Sequence, residues 1–250
     1  MSSEILNKLM IHLDPAARSV AVSDVRVGLG YTAVRIEGGA TGLCWTPSGD
    51  PGSCTHMNQA GTLAGRSARE LLQMLAEPSR VLLRAVGLAT ANALLTAMPR
   101  PVALQGDVLA TLDIGAADRV AMVGYFAPLL PSLRESGCKL DIIERKPAKP
   151  GTVSPEIGRA ALASCSVAII TATTLVNGTC DEVLSSLGEP RAVVLLGPST
   201  PMSPQAFTAT PVTHVAGAWV QKPDDVLRIV SEGGGTQLLK RYLEFATIPV

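Results

Sequence analysis

The sequence predicts an α/β protein in two parts: a small α+β unit, then a doubly wound parallel sheet. Three observations carry this. The second half holds short runs that are almost wholly apolar: Val120 to Val123, Leu140 to Ile143, Val167 to Ile170, Val193 to Leu196 and Val212 to Ala216. Strands buried on both faces read this way. The stretches between them open with helix-start signals. The first half has a different rhythm, with one amphipathic helix, alternating β-type sequence and a long apolar helix that ends at Pro99-Arg100-Pro101. The break falls near residues 100 to 106, giving units 1–104 and 105–250.

In chain order, Ile5, Leu6, Leu9, Met10 and Leu13 form one stripe of a helix from about Ser3 to Leu13. Val20 to Val27 and Tyr31 to Ile36 alternate like strands around Gly28-Leu29-Gly30, which predicts a hairpin. A third strand covers Gly42 to Trp45. Thr46 to Gly65 is rich in Gly, Ser, Pro and Thr and reads as a long loop. Ser67 and Glu70 have the spacing of a capping box, opening a helix through Leu75. Pro78-Ser79 ends it and starts the next, which runs to about Met98. In the second half Ser154-Pro155 and Ser203-Pro204 each place a cap before an N1 proline, and Thr179 to Glu182 is a second capping box. Right-handed crossovers then make this half a doubly wound, Rossmann-like domain with the common strand order 3-2-1-4-5.

Composition narrows the function. Lys+Arg 21 against Asp+Glu 21 gives zero net charge, and aromatics are only 3%. That argues against a duplex nucleic-acid binder and against base-stacking platforms. The most apolar stretch, Val81 to Met98, has Arg80 and Arg84 at its start and Asn92 inside, so it reads as a buried helix and not a membrane span. Glu4, Lys8 and His12 interrupt the N-terminus, which lacks the apolar core of a signal peptide. Five scattered cysteines read as thiols of a reducing compartment. The expectation is a cytoplasmic protein with a small-molecule ligand, no nucleic acid and no membrane. Homo-oligomerisation is a general expectation for such proteins.

Gly28-Leu29-Gly30-Tyr31-Thr32-Ala33 matches a dinucleotide fingerprint on paper, but a strand follows and not a helix, so a hairpin turn is the better reading. In the second half, ligands of an open α/β sheet sit outside the carboxyl ends of the strands. Gly124 and Tyr125 follow the first strand. Glu144 ends the next, 20 residues after Gly124, where an acid bonds a ribose hydroxyl in nucleotide sites; the alternative is a solvated carboxylate beside Arg145 and Lys146. Thr173 to Thr179 and Gly197-Pro198-Ser199-Thr200 follow two further strands, and Gly217 a third. With the order above, the Gly124 and Gly197 loops face each other, and their amides and hydroxyls hold an anion. Capping alone also explains Thr179, and an ordinary turn explains Ser199 and Thr200. Cys44, Cys54 and His56 fit no closed zinc pattern. Cys180, in the first turn of a helix without a basic neighbour, reads as a structural thiol. His214 opens a strand, away from the carboxyl ends.

The runs V-G-Y-F-A-P-L-L (123 to 130), T-A-T-T-L-V-N-G-T (171 to 179) and L-L-G-P-S-T-P-M-S-P (195 to 204) resemble the prokaryotic family named "putative heavy-metal chelation". V-G-L-G-Y-T-A-V (27 to 34), G-L-C-W (42 to 45) and A-N-A-L (91 to 94) resemble the domain that precedes it in that family, which is similar to the enolase N-terminal domain. The resemblance spans roughly residues 5 to 245. It implies a cleft between an enolase-N-terminal-like and a Rossmann-like domain that takes a small anionic or polar ligand, a metal chelate or its precursor. It implies Gly124, Asn177, Gly178, Thr179, Gly197, Pro198, Ser199 and Thr200 as cleft residues, with Thr32 and Asn92 from the first domain. Tyr125, Glu144 and Thr174 join them from the strand-end argument. Cys44 stands where the family has a small residue. A bound metal ion or chelate is the cofactor this name implies. An enzyme of chelator or cofactor metabolism with a nucleotide-like substrate, using Glu144, Tyr125 or a thiol, and a non-catalytic assembly protein are the alternatives.

Overall fold

The computed structural model describes residues 3–47, 56–77, 79–104, 107–145 and 149–250. The first half runs α1 (Glu4–Arg18), β1 (Val22–Val27), β2 (Tyr31–Ile36), β3 (Thr41–Trp45), α2 (Ala68–Leu72) and α3 (Val81–Ala97). The strands form an antiparallel sheet in the order β1-β2-β3. α1 passes the expected end at Leu13 and carries Pro15 inside it. A proline there costs about 3 kcal/mol. Ile5, Leu6, Leu9, Leu13 and Ala17 are buried along one stripe, and each buried Leu or Ile contributes about 1.5–3 kcal/mol. The stripe therefore outweighs the proline. The capping box that opens α2 forms: the Ser67 hydroxyl accepts from the Glu70 amide at 3.2 Å, and the Glu70 carboxylate accepts from the Ser67 amide at 3.4 Å. Pro78 and its expected break lie outside the described residues.

The small sheet is covered on both faces. Val34, Ile36 and Cys44 point into the core that holds α1, α2 and α3. Tyr31, Ala33 and Leu43, on the other face, pack against the second half. Close approach decides two glycines. A methyl group at Gly42 would collide with the Ala89 carbonyl and the Ala93 amide of α3. One at Gly28, in the hairpin turn, would strike the Val230 carbonyl.

The second half runs α4 (Val108–Leu112), β4 (Arg119–Val123), α5 (Leu130–Glu135), β5 (Lys139–Ile143), β6 (Thr152–Val153), α6 (Pro155–Ser164), β7 (Val167–Thr171), α7 (Thr173–Asn177), α8 (Cys180–Ser185), β8 (Ala192–Leu196), α9 (Pro204–Phe207), β9 (His214–Val220), α10 (Pro223–Ser231), α11 (Thr236–Leu239) and β10 (Leu243–Pro249). The strands form one sheet ordered β10-β9-β8-β7-β4-β5-β6. All neighbours are parallel except β9 and β10. Alternate residues face opposite ways. Ala121, Ile143, Ala168, Ile170, Val193 and Leu195 join the core shared with the first half. Val120, Met122, Ile142, Val167, Ile169 and Val194 join a second core under α4 and α5. Both faces are thus buried, which is why these strands read as continuous apolar runs.

Two strands escape the sequence reading. β6 is only two residues long, too short for any periodicity. β10 is an edge strand ending at Pro249, a place where a missing N–H is tolerated. The short β6 changes the strand count: β4 lies between β5 and β7, not beside β8. The Gly124 loop therefore faces the loop after β7, and the expected pairing with the Gly197 loop does not occur. Gly217, expected at a strand end, lies inside β9. The capping box at Thr179 does not form either. Thr179 has a helical backbone (φ −98°, ψ −1°) and no capping bond, because an N-cap hydroxyl reaches the helix amides from an extended backbone; its hydroxyl donates to Asn177 Oδ1 at 2.7 Å. Ser154 and Ser203 precede N1 prolines as expected, though neither side chain caps its helix.

Candidate functional site

β4 and β7 are neighbours whose following helices start connections in opposite directions along the sheet. A crevice must open outside their carboxyl ends. Gly124 ends β4 with φ +94°, and its amide donates to the Ile143 carbonyl at 2.9 Å. A side chain there would meet Thr171 Cβ and Cγ2 at 3.0 Å, so glycine lets the two strand ends close up.

A cleft of about 1110 Å³ lies at this point. Gly124, Tyr125, Glu144, Arg145, Thr171, Thr173, Thr174, Asn177 and Thr179 line it from the second half, and Trp45, His56, Gln59, Arg80 and Leu83 from the first. Of the residues expected from the sequence, Gly124, Tyr125, Glu144, Thr174, Asn177 and Thr179 are thus brought together. Their roles differ. Thr174 is buried, and its hydroxyl donates to the Thr171 carbonyl at 2.7 Å. Asn177 Oδ1 accepts from the Thr179 amide at 3.0 Å as well as from its hydroxyl. That double acceptance fixes the amide flip and aims Nδ2 as the donor. Lys149 Nζ sits 3.9 Å from the centroid of the Tyr125 ring, a cation–π contact. Gly178, with φ +82°, terminates α7 between two lining residues.

The other expected residues do not line the cleft. Ser199 and Thr200 are 2% and 1% exposed. The Ser199 hydroxyl accepts from the Trp45 amide at 2.8 Å. Asn92 Nδ2 donates to the Leu43 carbonyl at 2.8 Å and to the Ser199 carbonyl at 3.3 Å. Thr32 and Thr46 share a hydrogen bond of 3.0 Å. Gly197, with φ +120°, and Pro198 form the turn that accepts the Thr200 amide at 2.9 Å. The Ser199 and Asn92 bonds join β3 and α3 to the loop after β8, while the Thr200 hydroxyl is buried without a hydrogen-bond partner among the described residues. The reason for the correction is the strand order: the Gly197 loop follows β8, one strand away from the switch point.

Sequence reasoning missed Trp45, Arg80, Gln59 and Thr171; Thr173 fell in the expected strand-end loop, and His56 was weighed only as a metal ligand beside Cys44 and Cys54. Arg80 carried a signal, since a basic residue opening an otherwise apolar helix requires a reason. Among the described residues no thiol lines the cleft. Burial pushes Cys180 up to about 12 and raises Cys44 further still, despite the Ser199 hydroxyl that favours its thiolate. Cys54 lies outside the described residues. Among those described, no three His, Cys, Asp or Glu side chains converge as a metal site, and no helix is long and apolar enough to cross a membrane.

Fold and site together define a two-sheet α/β protein with a polar cleft at the switch point of its parallel sheet. The chain belongs to the family DUF364, "Putative heavy-metal chelation", whose profile matches residues 107–248. Residues 11–95 match DUF4213, which bears the same description. An uncharacterized protein of Methanocaldococcus jannaschii is 26% identical over 246 residues, covering 95% of this chain and 93% of the relative. Two crystal structures of DUF364 proteins with unknown function share the fold. That from Pyrococcus horikoshii has a TM-score of 0.85 at 22% identity and covers 98% of this chain and 100% of its own. That from Desulfitobacterium hafniense DCB-2 has a TM-score of 0.84 at 21% identity, with coverages of 99% and 98%.

Proposed function

We propose that this chain binds a small anionic or polar molecule, a metal chelate or its precursor, in the cleft between an enolase-N-terminal-like unit (1–104) and a Rossmann-like unit (105–250). The observation that carries the reading is the convergence of Gly124, Glu144, Asn177 and Thr179 from three strand ends on one cleft with Arg80 and His56 from the first half. Asn177 Nδ2 orients the ligand by donating to a carbonyl or hydroxyl. A metal enters as part of the chelate, the chelator supplying its ligands, since no metal-ligating cluster forms among the described residues. The family description supports the same class of cargo. Native mass spectrometry of freshly purified protein, with elemental analysis of the same sample, tests this. A co-purifying mass that carries metal and leaves on denaturation is expected. A clean apo mass together with no binding of iron or nickel citrate would remove the reading.

A second reading, an enzyme of chelator or cofactor metabolism, is favoured by one observation: Tyr125, Glu144 and His56 all line the same cleft, and each can carry a proton to or from a bound molecule. Turnover of a candidate substrate that is lost in Glu144→Gln would favour it over binding alone.

A further inference from the structure

α3 buries every side chain from Leu83 to Leu95, and only Arg84 among them is charged. It is 8% exposed, and its Nε is sealed from solvent without a hydrogen-bond partner. Among the described residues no carboxylate pairs with it. The positions three and four residues away on the helix are Arg80, Val81, Gly87 and Leu88, so no acid reaches it along α3. Burial alone moves its pKa, downward. Arginine keeps its charge under such conditions, and a buried charge left without a counter-ion is strongly destabilising.

The position of the guanidinium shows where the counter-ion would come from. It lies against Gly178: a methyl group built on that Cα would stand 3.0 Å from one terminal nitrogen and 3.3 Å from the other. Asn177 and Thr179, on either side of Gly178, line the cleft, as do Arg80 to Leu83 just before Arg84; the Arg84 guanidinium itself lies behind that wall, against Gly178. We propose that Arg84 is the anion-recognition residue of the cleft, taking an oxyanion group of the ligand, carboxylate or phosphate, on its terminal nitrogens, with Asn177 Nδ2 as the neighbouring donor. A planar fork of donors suits either group. The proposal rests on the cleft being the ligand site. It gives that site's anion-binding task to Arg84, in place of Ser199, whose hydroxyl is spent on the Trp45 amide.

The test uses the full chain in low-salt, phosphate-free buffer, with inorganic phosphate and citrate titrated separately by calorimetry. Citrate is itself a metal chelator. The wild type is expected to bind at least one of them, and the preferred probe identifies phosphate or carboxylate as the recognised group. Arg84→Met keeps the apolar stem and should weaken that binding at least tenfold. It should also melt higher than the wild type without ligand, because an unpaired charge has been replaced by a packed side chain. Asn177→Asp keeps the acceptor that holds Thr179 while removing the donor and adding like charge. Loss of binding in Asn177→Asp with full binding in Arg84→Met would keep the cleft reading and overturn the role of Arg84. Full binding in both would overturn both. A lower melting point for ligand-free Arg84→Met, or a wild type that binds neither probe at tens of millimolar, would overturn the role of Arg84.

Discussion

The amide of Trp45 donates to the hydroxyl of Ser199 at 2.8 Å, joining the last residue of β3 to the loop after β8. The bond crosses the boundary between the halves and is buried on the Ser199 side. Asn92 reinforces it by bonding the carbonyls of both Leu43 and Ser199. This polar joint holds Trp45, a wall of the cleft, in place.

Ser199→Ala leaves the Trp45 amide without its acceptor. The expected cost is about 1–3 kcal/mol, read as a lower midpoint in urea with an unchanged slope. Anion affinity should be within a few-fold of wild type. A binding loss without a stability loss would return Ser199 to the ligand's first contacts.

Asp118 anchors the opposite end of the sheet. Arg191 donates to it at 2.8 and 3.1 Å, Ser166 at 2.6 Å and the Gly115 amide at 3.0 Å. The Arg191 bonds, foremost, hold its carboxyl well below the ordinary value of 3.8. A depressed folded-state pKa gives stability that is fully present above about pH 4 and lost as pH falls further. Arg191 is 45% exposed, so solvent screening trims the gain. Asp118→Asn should cost about 1–2 kcal/mol at neutral pH and flatten the acid limb of a stability profile measured from pH 6 downward. A variant whose profile runs parallel to wild type would refute the assignment.

Gly42→Ala should be among the most damaging single changes outside the cleft. The new methyl group meets backbone atoms of α3 on two sides, with no flexible side chain to yield. Overpacking of this kind costs about 1–3 kcal/mol or more. Thermal melts followed by circular dichroism would show a fall of many degrees, and a wild-type melt would contradict the close approach of β3 to α3.

Native-state alkylation at pH 8, mapped by peptide mass spectrometry, should modify Cys138 before Cys44, Cys165 or Cys180. The latter three are buried, with thiols pushed upward by desolvation. Cys138 is half-buried. Rapid modification of Cys180 would show that α8 opens readily.

Much of the fold was legible because burial on two faces writes itself as unbroken apolar runs, as in β4, β7 and β8; β5 is interrupted by Asp141. The capping box at Ser67 was legible because its two bonds are local. Thr179 had the same spacing and failed, since its own backbone is helical where an N-cap is extended. The site was half legible. Strand-end residues such as Gly124 and Asn177 follow from topology, but their neighbours depend on strand order. β6, with two residues, was invisible, and its omission moved the Gly197 loop to the wrong place. Arg84 was visible as a charge in an apolar helix, yet only the structure shows that no acid among the described residues pairs with it.

The small sheet lies between α3 on one face and α10 on the other, so a rigid-body swing of residues 1–104 would tear apart two packed surfaces at once. The jaws of the cleft are therefore set when the chain folds, and heat should melt the molecule in one cooperative step. Selectivity would then come from a preformed aperture, with little conformational toll on the arriving guest.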